Sequence, residues 1–235
     1  MSAWSARRFW TSASAVPAEG GYTVHLDARP VRTPLKAPLV LPTQALAEAV
    51  AAEWQAQEGR VDPETMPFTR TANSAIDKVA PQREAVAEML AAYGASDLLC
   101  YRAEGPADLV ARQAEAWDPI LGWAADKLGV RLAVTTGVMH VDQPGASLAR
   151  LHGEVDALSP FQLSAFHDLV AISGSLVLAL AVTRGRLTAE EAWALSRIDE
   201  DWQISLWGAD EEAAEVAALK RAAFLQADRF FGLCG

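Results

Sequence analysis

The stretch LVAISGSLVLALAV, residues 169–182, constrains the fold more than any other part of the chain. It carries no charge, so a helix built from it has no face to offer to water and has to be enclosed. A bilayer span needs about 18 consecutive apolar residues; this run is shorter and is interrupted by Ser173, Gly174 and Ser175. It is therefore read as a buried core helix, inside a longer helical segment over 160–184. The two serines suggest a nucleophile at first sight, but small residues at such a position more often let two helices approach closely.

A buried helix needs neighbours, and the sequence around it supplies them. Residues 82–93 read as a helix. Another opens at Pro106, at the first helical position, and is expected to break or kink at Pro119, after Trp117 and Asp118. SDLLCYR (96–102) reads as a short extended or buried piece, and VRLAVTTGVMHVD as a short strand or extended crossover. Further helices are predicted near 144–158, 188–206 and 209–232. The first quarter is different. GYTVHLDARPVRTP alternates through Tyr22, Val24 and Leu26, turns at Asp27 to Pro30 and resumes at Val31, which is a hairpin. Pro34 and Pro38 restrict the segment up to PLVLP to an edge or loop-flanked strand. TQALAEAVAAEWQAQEG then switches to helical spacing through Leu46, Val50 and Trp54, with Thr43 as N-cap and Gly59 as the stop. The expected fold class is α+β: a small N-terminal domain over 1–78 with antiparallel strands and helices, then a larger all-α domain over 79–235.

Composition removes several functions. A formal charge of −10 and a pI near 4.9 over 235 residues oppose general nucleic-acid binding, which needs basic patches to displace phosphate counterions. Cys100 and Cys234 are far apart and outside any metal-ligand spacing, so free thiols in a reducing compartment are expected. His25, His140, His152 and His167 show no i, i+4 pair, and there is no dinucleotide-binding glycine motif, phosphate loop, zinc-protease motif or nucleophile elbow. No cofactor, metal or membrane insertion is expected. The opening MSAWSARRFWTSASA has the Arg, Ser and Ala content of a transit peptide but no apolar core of a signal peptide. A bacterial cytoplasm is the expected location, or the mitochondrial matrix for a eukaryotic source.

The stretch LSRIDEDWQISLWG (195–208) puts Asp199, Glu200 and Asp201 in a row against Trp202. Thr188 and Glu191 form a capping-box pattern, so a single helix is predicted from there through 206. Leu195, Ile198, Trp202 and Leu206 then form one stripe, and Trp193, Ile204 and Trp207 a second, with Glu200 inside the second. Asp201 is placed one turn after Arg197 and is expected to pair with it, while Asp199 borders the first stripe. Consecutive carboxylates diverge around a helix and cannot together chelate one ion. Three readings stay open on the residues alone: a solvated acidic turn, a recognition surface centred on Glu200 and its tryptophans, and acid/base catalysis by Glu200 in a hydrolase or isomerase.

Eight tryptophans in 235 residues point to packing roles for most of them, and Trp54, at the end of its apolar stripe, is read as structural.

With RRFW, GYTVHLDARPVRTPLKAPLVLPT, AEWQAQ, MPFTRTANSAID, DLLCYRAEGPADLVARQAEAWDPIL, SGSLVLALAV and LSRIDEDWQISLWG all in order, the chain resembles the ATP-twelve family of ATP synthase assembly chaperones over nearly its whole length. The resemblance implies a non-enzymatic protein that binds the free alpha subunit of the catalytic head, the F-one sector. It would prevent aggregation until beta subunits replace it, and would act as a monomer when free. It also implies an α+β N-terminal domain followed by an orthogonal helical bundle. The family's acidic position maps to Glu200, with Asp199, Trp193, Ile204 and Trp207 as its expected binding neighbours. Trp202 and Arg197 are expected to be structural, and the aromatic the family requires for a sound fold maps to Trp54.

Overall fold

A computed structural model describes residues 7–235; the first six residues of the transit-like opening lie outside the described residues. The described residues divide into two compact units, one made of residues 7–83, 159–165 and 229–235, the other of 84–158 and 166–228.

The first unit holds a three-stranded antiparallel sheet in the order β1 (Ala13–Ala18), β2 (Gly21–Leu26), β3 (Arg29–Pro30). The predicted hairpin is β2 with β3, but its turn is only Asp27 and Ala28, so the second strand is Arg29–Pro30 and does not wait until Val31. Asp27 makes the turn at φ 53, and its carboxylate accepts from the amides of Thr11 and Ser12, bonds that hold its pKa below the usual aspartate value. Strand β1 is an addition to the sequence reading. Its Ala, Ser and Pro17 carry little strand propensity, and an edge position tolerates a proline. The expected strand through PLVLP reduces to isolated bridges, Tyr22 with Leu41 and Arg32 with Pro38. Gly21 permits the first of these, because a Cβ there would stand 2.2 Å from the Leu41 carbonyl oxygen.

Helix α1 (Gln44–Gln55) packs across β1 and β2. Thr43 caps it as expected, its side chain accepting from the Leu46 amide at 3.1 Å. It closes four residues before Gly59, because the Arg8 guanidinium donates to the carbonyls of Gln55 and Gln57. Leu46, Val50, Val24, Leu39 and Leu41 are fully buried, and Ala165 and Phe230 complete this core. Trp54 packs on it edge-on to Trp10, ring centroids 5.4 Å apart. The neighbouring Glu53 caps the amides of Phe68 and Thr69 at the start of α2 (Pro67–Ser74). Burial raises its pKa despite these bonds.

The second unit is helical apart from a two-residue parallel pair, β4 (Tyr101–Arg102) with β5 (Thr135–Thr136). Its helices are α3 (Arg83–Ala91, from Glu84 on), α4 (Ala107–Trp123), α5 (Gly145–Asp156), α6 (Pro160–Ser173, from Phe166 on), α7 (Leu176–Thr183), α8 (Ala189–Ser196), α9 (Ile198–Trp207) and α10 (Glu211–Gly232, to Asp228). Every residue from Leu176 to Val182 is buried, so the apolar run is the internal helix its composition requires. Helix α7 packs against α4 and α8, and α4 also packs against α9.

Three sequence expectations are corrected. Pro119 does not break its helix; α4 runs through it and ends instead in a wide turn closed by left-handed Gly129. The segment 160–184 is two helices, because Gly174 at φ 70 stops α6 and the Ser175 hydroxyl caps α7 at the Leu178 amide. The Ser-Gly-Ser sequence therefore serves as a stop and a cap, not as a close-approach surface. The segment 188–206 also divides, at Arg197, whose ψ of 7° is not helical; the capping box of Thr188 and Glu191 is present at its start.

Candidate partner-binding site

Asp97 organises the junction that positions part of the site. It is completely buried, and its carboxylate accepts from the Ser175 hydroxyl at 2.7 Å and from the amides of Val177 and Leu99 at 2.9 and 3.1 Å. Burial raises its pKa, and these bonds oppose that shift. One side chain thus joins the start of α7 to the turn Leu98–Cys100, which satisfies amides that a helix start otherwise leaves unpaired. Leu98 and Gly174, set by this junction, line one side of an open cleft of about 310 Å³.

The same cleft is lined by Trp193, Arg197, Asp199 and Glu200, with Lys220 from α10. The break at Arg197 shapes it. The Arg197 guanidinium lies over the Trp193 ring, 5.5 Å from its centroid, and Nη1 donates to Glu200 Oε1 at 2.8 Å. Trp193 is in turn packed on the buried ring of Phe224. The arrangement is a stack in which a core aromatic supports a tryptophan, the tryptophan an arginine, and the arginine a carboxylate. Arg197 is mostly covered while about half of the Glu200 side chain is exposed. Such a pair contributes well under ~1 kcal/mol to stability, so its consequence is orientation.

Arg197 therefore pairs with Glu200 and not with Asp201, which is solvent-exposed. The expectation failed because it counted a continuous helix; once α9 starts afresh after Arg197, the side chain three residues on is the one within reach. Asp199 turns the other way. Its Oδ1 accepts from Gln113 Nε2 at 2.6 Å, and Gln113 Oε1 accepts the Ala103 amide. Ile198 is buried and Trp202 half-buried, anchoring α9, while Ile204 and Trp207 do not line the cleft and are exposed. The two stripes drawn through Arg197 are thus not continuous.

Two contributors were missed from the sequence. Gln113 sits on the core face of α4 with Leu109, Trp117 and Ile120, and a polar residue in that apolar spacing was a usable signal. Lys220 gave none. Among the described residues, no group of three metal-ligating side chains gathers, and no helix is long and apolar enough to cross a membrane.

A model of a known family, described as ATP12 chaperone protein, matches residues 7–125. The chain is 27% identical over 224 residues to mitochondrial protein atp12 of Schizosaccharomyces pombe, covering 90% of this chain and 77% of that protein. Its fold matches the crystal structure of Atp12 from Paracoccus denitrificans with a TM-score of 0.96 and 55% identity, over 98% of this chain and 99% of that one. A mutant form of P. denitrificans Atp12p matches with the same TM-score, 54% identity and 98% coverage of each chain. The acid/base reading of Glu200 is overturned by this kinship, since these relatives form a family of chaperones and not of enzymes. The chain belongs to the ATP12 chaperone protein family.

Proposed function

We propose that this protein is an ATP synthase assembly chaperone that holds the free alpha subunit of the catalytic head until beta subunits displace it. A subunit that normally packs between two neighbours exposes apolar surface when alone, and such surface drives aggregation. Covering it reversibly needs apolar contact beside a polar, charged rim, not a reactive pocket. The observation that carries the proposal is the presentation of Glu200: its carboxylate is held half-exposed by Arg197 at the mouth of a tryptophan-walled cleft. Tryptophan, arginine and a directed carboxylate are the chemistry of interface hot spots. The protein acts as a monomer before capture, in the bacterial cytoplasm or the equivalent mitochondrial matrix.

Co-expression with alpha subunit, alone and then with beta, tests this. Soluble alpha subunit in a complex that beta dissolves is the expected result. Permanent incorporation would instead mark a structural subunit, and an alpha subunit that stays insoluble would refute the proposal.

A further inference from the structure

Helix α10 returns along α8, Arg221 pairing with Glu190 and Phe224 packing on Trp193, and Glu200 and Lys220 line the same cleft, so the chain from α8 to α10 is a helical hairpin with residues 201–219 at its far end. From Gln203 to Ala223 every residue is exposed except Ala217. Eleven large apolar side chains are exposed among the described residues, and five of them fall here: Ile204, Leu206, Trp207, Val216 and Leu219. Trp207 is 82% and Leu219 72% exposed. Single exposed apolar residues need no explanation, but a cluster of them on one projection does.

The acidic residues are placed with them. At about 100° per residue, Glu211, Glu215, Leu219, Glu212 and Val216 of α10 fall within an arc of roughly 140°. Ala217, the covered residue, lies on the opposite side. The exposed run from Gln203 to Ala223 holds four acidic residues, all before Leu219, and two basic ones at its inner end, Lys220 on the cleft and Arg221 paired with Glu190. The first turns of α10 hold their shape with little packing: Asp210 caps them at the Ala213 amide, 2.8 Å, acids occupy the first turn, and Ala213, Ala214, Ala217 and Ala218 favour the helix.

We infer that this hairpin end is a docking ridge for a client segment that is itself amphipathic and basic, an apolar stripe bordered by Lys or Arg. The inference rests on the chaperone reading and adds the chemistry of what is gripped. Charge decides the occupant. A second copy would bring two four-carboxylate rims together, and an anionic surface would meet the same repulsion, whereas a basic stripe gains complementary contacts around the apolar centre.

The test uses the full chain and two labelled 18-residue helical peptides, one of Leu and Lys and one of Leu and Glu at the same spacing, followed by anisotropy. The Leu-Lys peptide is expected to bind and to weaken with added salt. Trp207→Ala with Leu219→Ala should weaken it tenfold or more at an unchanged thermal midpoint, and Glu211→Lys with Glu215→Lys should transfer preference to the Leu-Glu peptide. Equal binding of both peptides, unchanged binding by the ridge variants, or a dimer in sedimentation that the Trp207 variant dissolves would each overturn the ridge. Capture of alpha subunit by the unmodified protein, measured separately, distinguishes failure of the ridge from failure of the chaperone reading.

Discussion

Asp199 Oδ1 accepts a hydrogen bond from Gln113 Nε2 at 2.6 Å, and the same Gln113 amide accepts the Ala103 backbone N–H through its oxygen. One buried amide therefore fixes both the strand end at Arg102–Ala103 and the first turn of α9. Replacing Gln113 with leucine leaves a half-buried carboxylate and an amide without partners. We expect a loss of about 2–4 kcal/mol, from the cost of unpaired polar groups, read as a lower urea midpoint. Asp199→Asn, which can still accept, should lose under ~1.5 kcal/mol.

Glu200→Lys places two cations beside each other on the Trp193 ring. Because the Glu200 side chain is half exposed, the thermal midpoint is expected to fall by only a few degrees, while capture of alpha subunit weakens strongly. A well-folded Glu200→Lys protein with unchanged capture would remove Glu200 from the interface.

Trp54→Arg inserts a charge against the Trp10 ring and the core of the first unit. Trp54 is partly buried against this core, so losing its ring costs up to about 3–5 kcal/mol, the range for aromatic truncation, and a half-buried guanidinium adds to that. Low yield of folded protein is the expected outcome, and an unchanged thermal midpoint would contradict it.

His167 carries the clearest pH dependence near neutrality. Its hydrogen bond to Asp168 raises its pKa above the usual histidine value, against partial burial. The folded protein thus holds this proton more tightly than the unfolded chain. The stabilisation is fully present below pH ~6.5 and is lost as pH rises through the folded pKa. His167→Asn should flatten stability over that window, as measured by urea unfolding at a series of pH values.

Much of this fold was legible because its signals are local. The Thr43 cap, the Thr188–Glu191 box and the alternation of Tyr22, Val24 and Leu26 each depend on a few adjacent residues. The internal helix was legible from composition alone. What escaped was decided by partners distant in sequence. Arg8 ends α1 before Gly59, Gln113 claims Asp199 from 86 residues away, and the sheet recruits an alanine-rich strand through pairing. Gly174 and Arg197 were misjudged because each lies in good helical spacing, so their backbone angles break a helix that the side-chain pattern continues. For the site, the residue types were readable; the Arg197 break, which decides the partner of Glu200, was not.

The exposed hairpin end and the enclosed helix α7 should differ widely in how long their amide protons survive in heavy water. Helix α7 can exchange only when the whole unit opens, whereas the first turns of α10 depend on local helix propensity and should exchange within seconds. Changes at the hairpin end would then leave global unfolding almost untouched. The gripping surface can be re-tuned to a different client segment without re-engineering the body that carries it.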